Sequence, residues 1–252
     1  MKKLRCILVG ATGLAGQQFI AALETHPWME IAQIAASPRN AGKTYREAIT
    51  APNGMLSWFV SEPLSDRIAN MKLADPSQVV LSEADLVFSA VEADVARELE
   101  PMYAQSLPVI SAASAFRYDD DVPLVIPPVN ADHLELIAMQ RSTRGWKGFI
   151  APIPNCTTTG LAMTLAPLAA EFGVQAVMMT SMQAMSGAGR SPGVMGLDIV
   201  DNVIPYIPKE EGKVEVETRK ILGFPGRQLD LKVSCTCTRV GVLEGHTEAA
   251  FV

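Results

Sequence analysis

The sequence predicts an α/β protein of two domains, and three observations carry that expectation. Short apolar runs without alternation, Leu4 to Val9 first among them, suit strands buried on both faces of a parallel sheet. Helix-like stretches alternate with those runs as far as Gly148. Beyond it the pattern changes to a long Ala- and Leu-rich helix and to strands in which polar and apolar residues alternate. We therefore expect an α/β domain over 1–150 with a parallel sheet, and an α+β domain over 151–252 with a mainly antiparallel sheet.

In chain order, Leu4 to Val9 is the first strand, and Gly10 to Gly16 opens a helix through Leu23. Met29 to Ala36 follows as a strand. Asp85 to Val91 and Pro108 to Ala113 are strands on either side of a helix at Ala93 to Ala104. Gly148 to Asn155 is a strand and Cys156 to Phe172 a helix. Val174 to Met185 and Leu231 to Val240 are long strands, the second with Val233, Cys235 and Cys237 on one face and Ser234, Thr236 and Thr238 on the other. The Gly/Pro-rich segment Ser186 to Gly196 is a loop inside the second domain.

With 252 residues, 48% of them hydrophobic, the chain buries a substantial core. Its net charge of −6 gives no attraction to phosphate backbones or anionic membranes, so neither nucleic acid nor a membrane is an expected partner. An anionic substrate must be held by a few local cations. Cys6, Cys156, Cys235 and Cys237 form no C-x-x-C pair and there are three histidines, so no metal is expected and a reduced, cytoplasmic setting fits. The run from Leu4 is too short for a secretory signal core, and Pro167 and Glu171 interrupt the longest apolar helix before it reaches the roughly 18 residues of a membrane span.

Glycines recur every three residues in Gly10-Ala-Thr12-Gly13-Leu14-Ala15-Gly16, between a strand and a helix. Such a turn lets backbone approach a pyrophosphate and points amides at it from the positive end of the helix, which makes the first domain Rossmann-like. Where an NAD-selective site places an acid against the ribose hydroxyls, this chain has Ala36-Ser37-Pro38-Arg39. A hydroxyl and a guanidinium there suit a 2′-phosphate, so the expected cofactor is NADP.

Pro154-Asn155-Cys156-Thr157-Thr158 places a cysteine where a strand ends and a helix begins, where free amides and the helix dipole favour a thiolate. Cys156 is the candidate nucleophile, while Cys6 inside the first strand reads as a buried structural residue. Among the histidines, His26 and His133 read as structural. His246, after Gly245 and a strand edge, reads as an exposed imidazole of near-neutral pKa and the candidate acid/base. A thiolate, a base and a dinucleotide site together suggest hydride transfer from a thiohemiacetal.

Six blocks in order, Gly10-Ala-Thr-Gly13, Ala36-Ser-Pro-Arg39, Pro154 to Thr158, Gln183-Ala-Met-Ser-Gly-Ala-Gly189, Asn202-Val-Ile-Pro-Tyr-Ile207 and Arg239-Val-Gly-Val-Leu-Glu-Gly-His246, resemble the aspartate-semialdehyde dehydrogenase family in its archaeal and fungal-type branch. The resemblance implies reversible, NADP-dependent reductive dephosphorylation of L-4-aspartyl phosphate to L-aspartate 4-semialdehyde through a cysteine thioester, in the biosynthesis of lysine, threonine, methionine and isoleucine. It gives Cys156 and His246 the chemistry, Arg239 the substrate carboxylate, Glu210 its amino group, and Gln183 its orientation beside the thiol. Arg117 and Lys213 match cations that handle phosphate, although Glu210 and Lys213 also form an ordinary helix pair. Ser186, Gly187 and the residues to Gly189 match a loop that reaches the nicotinamide half of the cofactor. A homo-oligomer, dimer or tetramer, is implied as well.

Two departures stand out. Ala112 follows Ser111 where the family commonly has Asn, and the family pattern continues well past the position of Val252, so the chain is expected to be a truncated form. Two other functions stay open on the sequence: an acyl-thioester reductase of the malonyl-CoA reductase type, and a non-catalytic NADP-binding subunit.

Overall fold

The computed structural model describes residues 2–188 and 198–252. The chain forms two compact units, one of residues 1–115 and 141–151 and the other of 116–140 and 152–252. The first unit holds β1 (Leu4–Val9), α1 (Leu14–Glu24), β2 (Met29–Ala35), α2 (Tyr45–Ile49), α3 (Asp66–Ala69), β3 (Leu73–Ala74), β4 (Leu86–Ser89), α4 (Ala93–Ala104) and β5 (Pro108–Ser111). After α5 (Pro127–Asn130) and α6 (Leu136–Arg144), β6 (Phe149–Pro152) completes its sheet.

That sheet runs in the order β3-β2-β1-β4-β5-β6, and the pairings of β1 with β2 and β4, of β2 with β3 and of β4 with β5 are parallel. The order reverses direction beside β1, which is where a doubly wound sheet opens a crevice at its carboxyl ends. Cys6, Leu8, Ile20, Leu23, Ile31 and Ile34 form the core on one side, with Cys6 fully buried, as expected for a structural thiol. The buried Tyr45 hydroxyl donates to the Ala11 carbonyl at 2.9 Å and ties the glycine turn to this core. Gly10 has φ of +82°, and a Cβ there would lie 2.3 Å from the Ala90 carbonyl oxygen, so no other residue fits.

The second unit contains α7 (Cys156–Phe172), β7 (Ala176–Gln183), β8 (Val203–Ile204), α8 (Glu210–Ile221), β9 (Lys232–Val240) and β10 (Thr247–Phe251). Its sheet order is β10-β7-β9-β8. The outer pairings, β10 with β7 and β8 with β9, are antiparallel, whereas β7 and β9 run parallel in register from Ala176↔Lys232 to Gln183↔Arg239. The sheet is therefore mixed. Alternation in the sequence marks the covered face and is indifferent to strand direction. The crossover between β7 and β9 contains α8, the kind of connection that parallel neighbours require. Val177, Met179 and Cys237 on the covered face join Leu161 and Leu165 of α7 and Val214 of α8 in one apolar cluster.

Residues 116–140, placed in the first domain by the expected boundary at 150, belong to this second unit. Long-range contacts hold them there. Arg117 pairs with Glu217 at 3.0 Å, Lys220 donates to the Arg117 and Asp119 carbonyls, and Leu124 and Ile126 pack on Ala162 and Ile221. No local signal in the sequence announces such contacts. Among the described residues no helix is long and apolar enough to cross a membrane.

Candidate active site

The site in the second unit is built on the start of α7. Asn155, the residue before the helix, accepts from the amides of Thr157 at 2.9 Å and Thr158 at 3.2 Å, an N-cap that leaves Cys156 as the first helical residue. The Asn155 amide nitrogen of the side chain donates to Glu210 at 2.7 Å, and its backbone N–H donates to Glu217 at 2.7 Å. Glu217 is fully buried, and its other oxygen takes the hydrogen bond from Arg117. The nucleophile's platform is thus fixed by two buried carboxylates.

Cys156 Sγ lies 3.1 Å from His246 Nε2. The Ala184 N–H bonds the other ring nitrogen, Nδ1, at 3.1 Å, and this contact turns Nε2 toward the sulfur. A neutral ring that accepts at Nδ1 carries its hydrogen on Nε2, where it is a donor to the thiolate. The Ala184 carbonyl in turn accepts from Arg239 at 2.8 Å. Arg239 and Gln183 are register partners on β9 and β7, which places both side chains on the covered face. A Cβ on Gly187 would lie 3.1 Å from Arg239 and 3.1 Å from the His246 ring, so the bare glycine lets the turn at Met185–Ala188 close on the site. That turn is pinned by Met185 and Ser186 N–H bonds to the Val242 and Leu243 carbonyls. Gly189, and the rest of the expected loop to Gly196, lie outside the described residues.

The electrostatics correct two expectations. Burial first, and then the Glu210 carboxylate, push the Cys156 thiol above its ordinary pKa, while the amides of the helix start and the Thr157 hydroxyl pull it down without prevailing. The helix terminus alone does not make the thiolate. His246 is half-buried, not exposed, and burial followed by the Arg239 charge pulls its pKa below the usual value, with Glu210 acting the other way. Glu210 itself is pushed up by burial, but the Asn155 hydrogen bond and Lys213 outweigh that and hold it ionised below the usual range.

Cys156, His246, Gln183, Arg239, Glu210, Lys213, Ser186 and Gly187 therefore belong to one connected group in the second unit, with Lys213 bonded to Glu210 at 3.1 Å. Arg117 enters it differently from the expected phosphate contact, as the buried ion-pair partner of Glu217. His133 is fully buried with Nε2 3.3 Å from the Gly223 carbonyl, and His26 Nδ1 accepts from the Trp28 and Met29 amides, both structural as expected. Ala184, Glu217 and Glu248 were not singled out in the sequence. For Glu248 a signal existed, since it follows His246 at the two-residue spacing of one strand face.

In the first unit the residues fit a dinucleotide. Gly13 caps α1 without a side-chain bond, so the amides of Leu14, Ala15 and Gly16 are not claimed by a capping side chain. A Cβ at Gly13 would meet only the Gly10 carbonyl, at 3.5 Å, which leaves the turn open, with Thr12 beside it. Ser37 and Arg39 stand exposed at the carboxyl end of β2, Arg39 within a short 3-10 turn over Pro38–Asn40. At Ala112 the backbone N–H bonds the Ser89 carbonyl, and no side-chain amide is available at that position.

Two families of known sequence match the chain: semialdehyde dehydrogenase, NAD binding domain, over residues 5–137, and semialdehyde dehydrogenase, dimerisation domain, over residues 165–252. An aspartate-semialdehyde dehydrogenase of Archaeoglobus fulgidus is 48% identical over 252 residues, covering 97% of this chain and 70% of the relative. One of Candida albicans is 42% identical over 259 residues, covering 96% and 69%. The crystal structure of aspartate semialdehyde dehydrogenase with NADP from Candida albicans superposes with a TM-score of 0.86 at 39% identity, over 98% of this chain and 71% of that one. The Vibrio cholerae aspartate semialdehyde dehydrogenase II complexed with ASA gives 0.75 at 26% identity, over 99% and 74%.

Proposed function

Because the chain belongs to the semialdehyde dehydrogenase family, we propose that it interconverts L-4-aspartyl phosphate and L-aspartate 4-semialdehyde with NADP through a thioester on Cys156, in the biosynthesis of lysine, threonine, methionine and isoleucine. The observation that carries this reading is the Cys156 Sγ to His246 Nε2 contact of 3.1 Å beside buried Glu210 and Arg239.

In the oxidative direction the Cys156 thiolate adds to the aldehyde carbon, and the Nε2 hydrogen of His246 is donated to the oxygen on which charge develops. NADP, when bound, supplies the hydride acceptor in this direction and, in its reduced form, the donor in the other. Inorganic phosphate then attacks the acyl carbon, the carbon–sulfur bond breaks, and the thiolate returns to its contact with His246. A zwitterionic substrate needs one cation and one anion. Arg239 takes the carboxylate in a two-pronged contact and Glu210 the ammonium, with Gln183 between them on the same face. Lys213 supplies the phosphate contact expected of it, and Arg117 contributes through Glu217, its buried ion-pair partner, which accepts from the Asn155 N–H. Ser186 and Gly187 would take the nicotinamide half of the cofactor. Gly10 to Gly16 would hold the pyrophosphate, and Ser37 and Arg39 the 2′-phosphate.

A homo-oligomer, dimer or tetramer, that pairs through the second unit is in keeping with the dimerisation family matched there, and the four free cysteines suit the cytoplasm. The test is a phosphate-dependent assay of NADP reduction with aspartate semialdehyde, run on the parent and on Cys156→Ser. We expect turnover in the parent and a loss of at least about a thousandfold in the variant, with NADP affinity kept. Turnover that needs no phosphate, or a preference for malonyl-CoA, would overturn the reading.

A further inference from the structure

A cavity of about 500 Å³ in the second unit is lined by Cys156, Gly160 and Thr164 of α7, and by Gly245, His246 and Glu248. The two sides match in spacing. Residues four apart on a helix rise about 6 Å, and residues two apart on a strand are separated by about 6.7 Å on one face. Cys156 and Gly160 therefore stand opposite His246 and Glu248 as two successive rungs between α7 and β10. On the first rung the sulfur meets the imidazole. On the second, a Cβ added to Gly160 would lie 3.1 and 3.2 Å from the two Glu248 carboxyl oxygens, so the carboxyl occupies the place of the side chain that Gly160 lacks.

Glu248 pairs in register with buried Ser181 of β7, which confirms that it points to the covered face of the sheet. Around it, α7 offers Cys156 as a titrating group, β7 offers Ser181 and Gln183, which do not titrate, and its own strand end offers His246. Arg239 on β9 and Glu210 on α8 act on His246 from the other side. The Glu248 carboxyl forms no hydrogen bond with the side chain of another described residue.

We propose that Glu248 is a positioning residue for the proton chemistry of the site: its carboxylate, seated in the gap at Gly160 one rung from Cys156 and His246, raises the proton affinity of the Cys156 sulfur and so sets the pH at which the thiolate forms. This inference rests on the reaction proposed for Cys156 and His246. The Glu210 carboxylate already pushes the Cys156 thiol up, and a negative charge at Glu248 acts in the same direction. The thiolate is the form that adds to a carbonyl, so the pH at which it forms sets how much of the protein can react. Burial pushes the Glu248 carboxyl up to about 7, so it changes charge in the range where the effect is felt.

The experiment follows the rate of Cys156 alkylation by iodoacetamide against pH, read at the Cys156 peptide by mass spectrometry, in the parent, E248Q, G160A and the double variant. A carboxylate about 7 Å away shifts its neighbours by about half a pH unit, so E248Q should alkylate about threefold faster near pH 8 and coincide with the parent below about pH 6. G160A should move the curve in the same direction, because its methyl displaces the carboxyl, and should add nothing to E248Q. Curves displaced equally at all pH values, coincident curves, or slower alkylation of E248Q above neutrality each overturn the proposal. Alkylation needs neither substrate nor cofactor, so its outcome is separate from whether aspartate semialdehyde is turned over.

Discussion

Asn155 answers to three constraints at once: it caps α7, binds Glu210 through its side chain and binds Glu217 through its backbone. Replacing it with alanine removes the cap, worth about 1 kcal/mol, and leaves buried Glu210 short of a donor, worth about 1–3 kcal/mol more. Asn155→Ala is expected to lower stability by about 2–4 kcal/mol in denaturant titration and to cut turnover further than a stability loss explains, because Cys156 follows directly. Unchanged stability would show that Asn155 does not hold this junction. The exposed pair Ser37 and Arg39 makes a different prediction. A charge-assisted contact to a 2′-phosphate contributes about 1.5–3 kcal/mol, so Arg39→Ala should narrow the NADP preference over NAD by about ten- to a hundredfold in kcat/KM. Equal efficiency with the two cofactors in the parent would remove its basis. Cys156 and His246 were legible in the sequence because each stands at the end of an element, beside Asn155 or Gly245. Ala184 and Glu217 were not, because the bond from Ala184 to His246 spans 62 residues and that from Asn155 to Glu217 also spans 62.

At the scale of elements, strands and helices with strong local patterns were readable, and α4 and α7 have the bounds expected for them, Ala93–Ala104 and Cys156–Phe172. The two-residue strands β3 and β8 have no room for a period, so they follow from their neighbours, not from their own sequence. The direction of β7 against β9 was hidden for a related reason, since a one-sided sheet alternates whichever way its strands run. One element carries a pH-dependent stability. Glu100 on α4 is fully buried and accepts from the Ser111 hydroxyl at 2.5 Å, and that hydroxyl accepts in turn from Ala113 N–H. Burial pushes the Glu100 carboxyl above its ordinary value, against the pull of Ser111 and Ser89. A raised folded-state value means that the contribution is fully present below the unfolded carboxylate range and is lost as pH rises through the folded value. Glu100→Gln should therefore flatten the fall in stability on the alkaline side while keeping the fold. The check is Tm against pH for both proteins, and parallel curves would rule Glu100 out as the source.

For the whole molecule, the outer face of the second sheet is the surface on which copies are expected to associate. Its covered face is spent on α7 and α8, while Met178 at 65% exposure and Phe251 at 77% remain on the open face as register partners of β7 and β10. Met182, paired with Thr247, extends the same apolar row. Soluble chains seldom leave such a row uncovered, and this region matches a family described as a dimerisation domain, so a second copy of the sheet is the expected cover. Burying each large apolar side chain contributes about 1.5–3 kcal/mol, and a carboxylate placed there must be desolvated or leave the partner sheet apart. Met178→Glu together with Met182→Glu is expected to weaken self-association by at least about a hundredfold in Kd. Because both positions are open to solvent in the single chain, the variant should keep its circular dichroism spectrum, and Cys156 alkylation should stay within a few-fold of the parent. Sedimentation velocity over a range of concentrations is the measurement. A variant that associates as tightly as the parent would show that the dimer is built on a different surface.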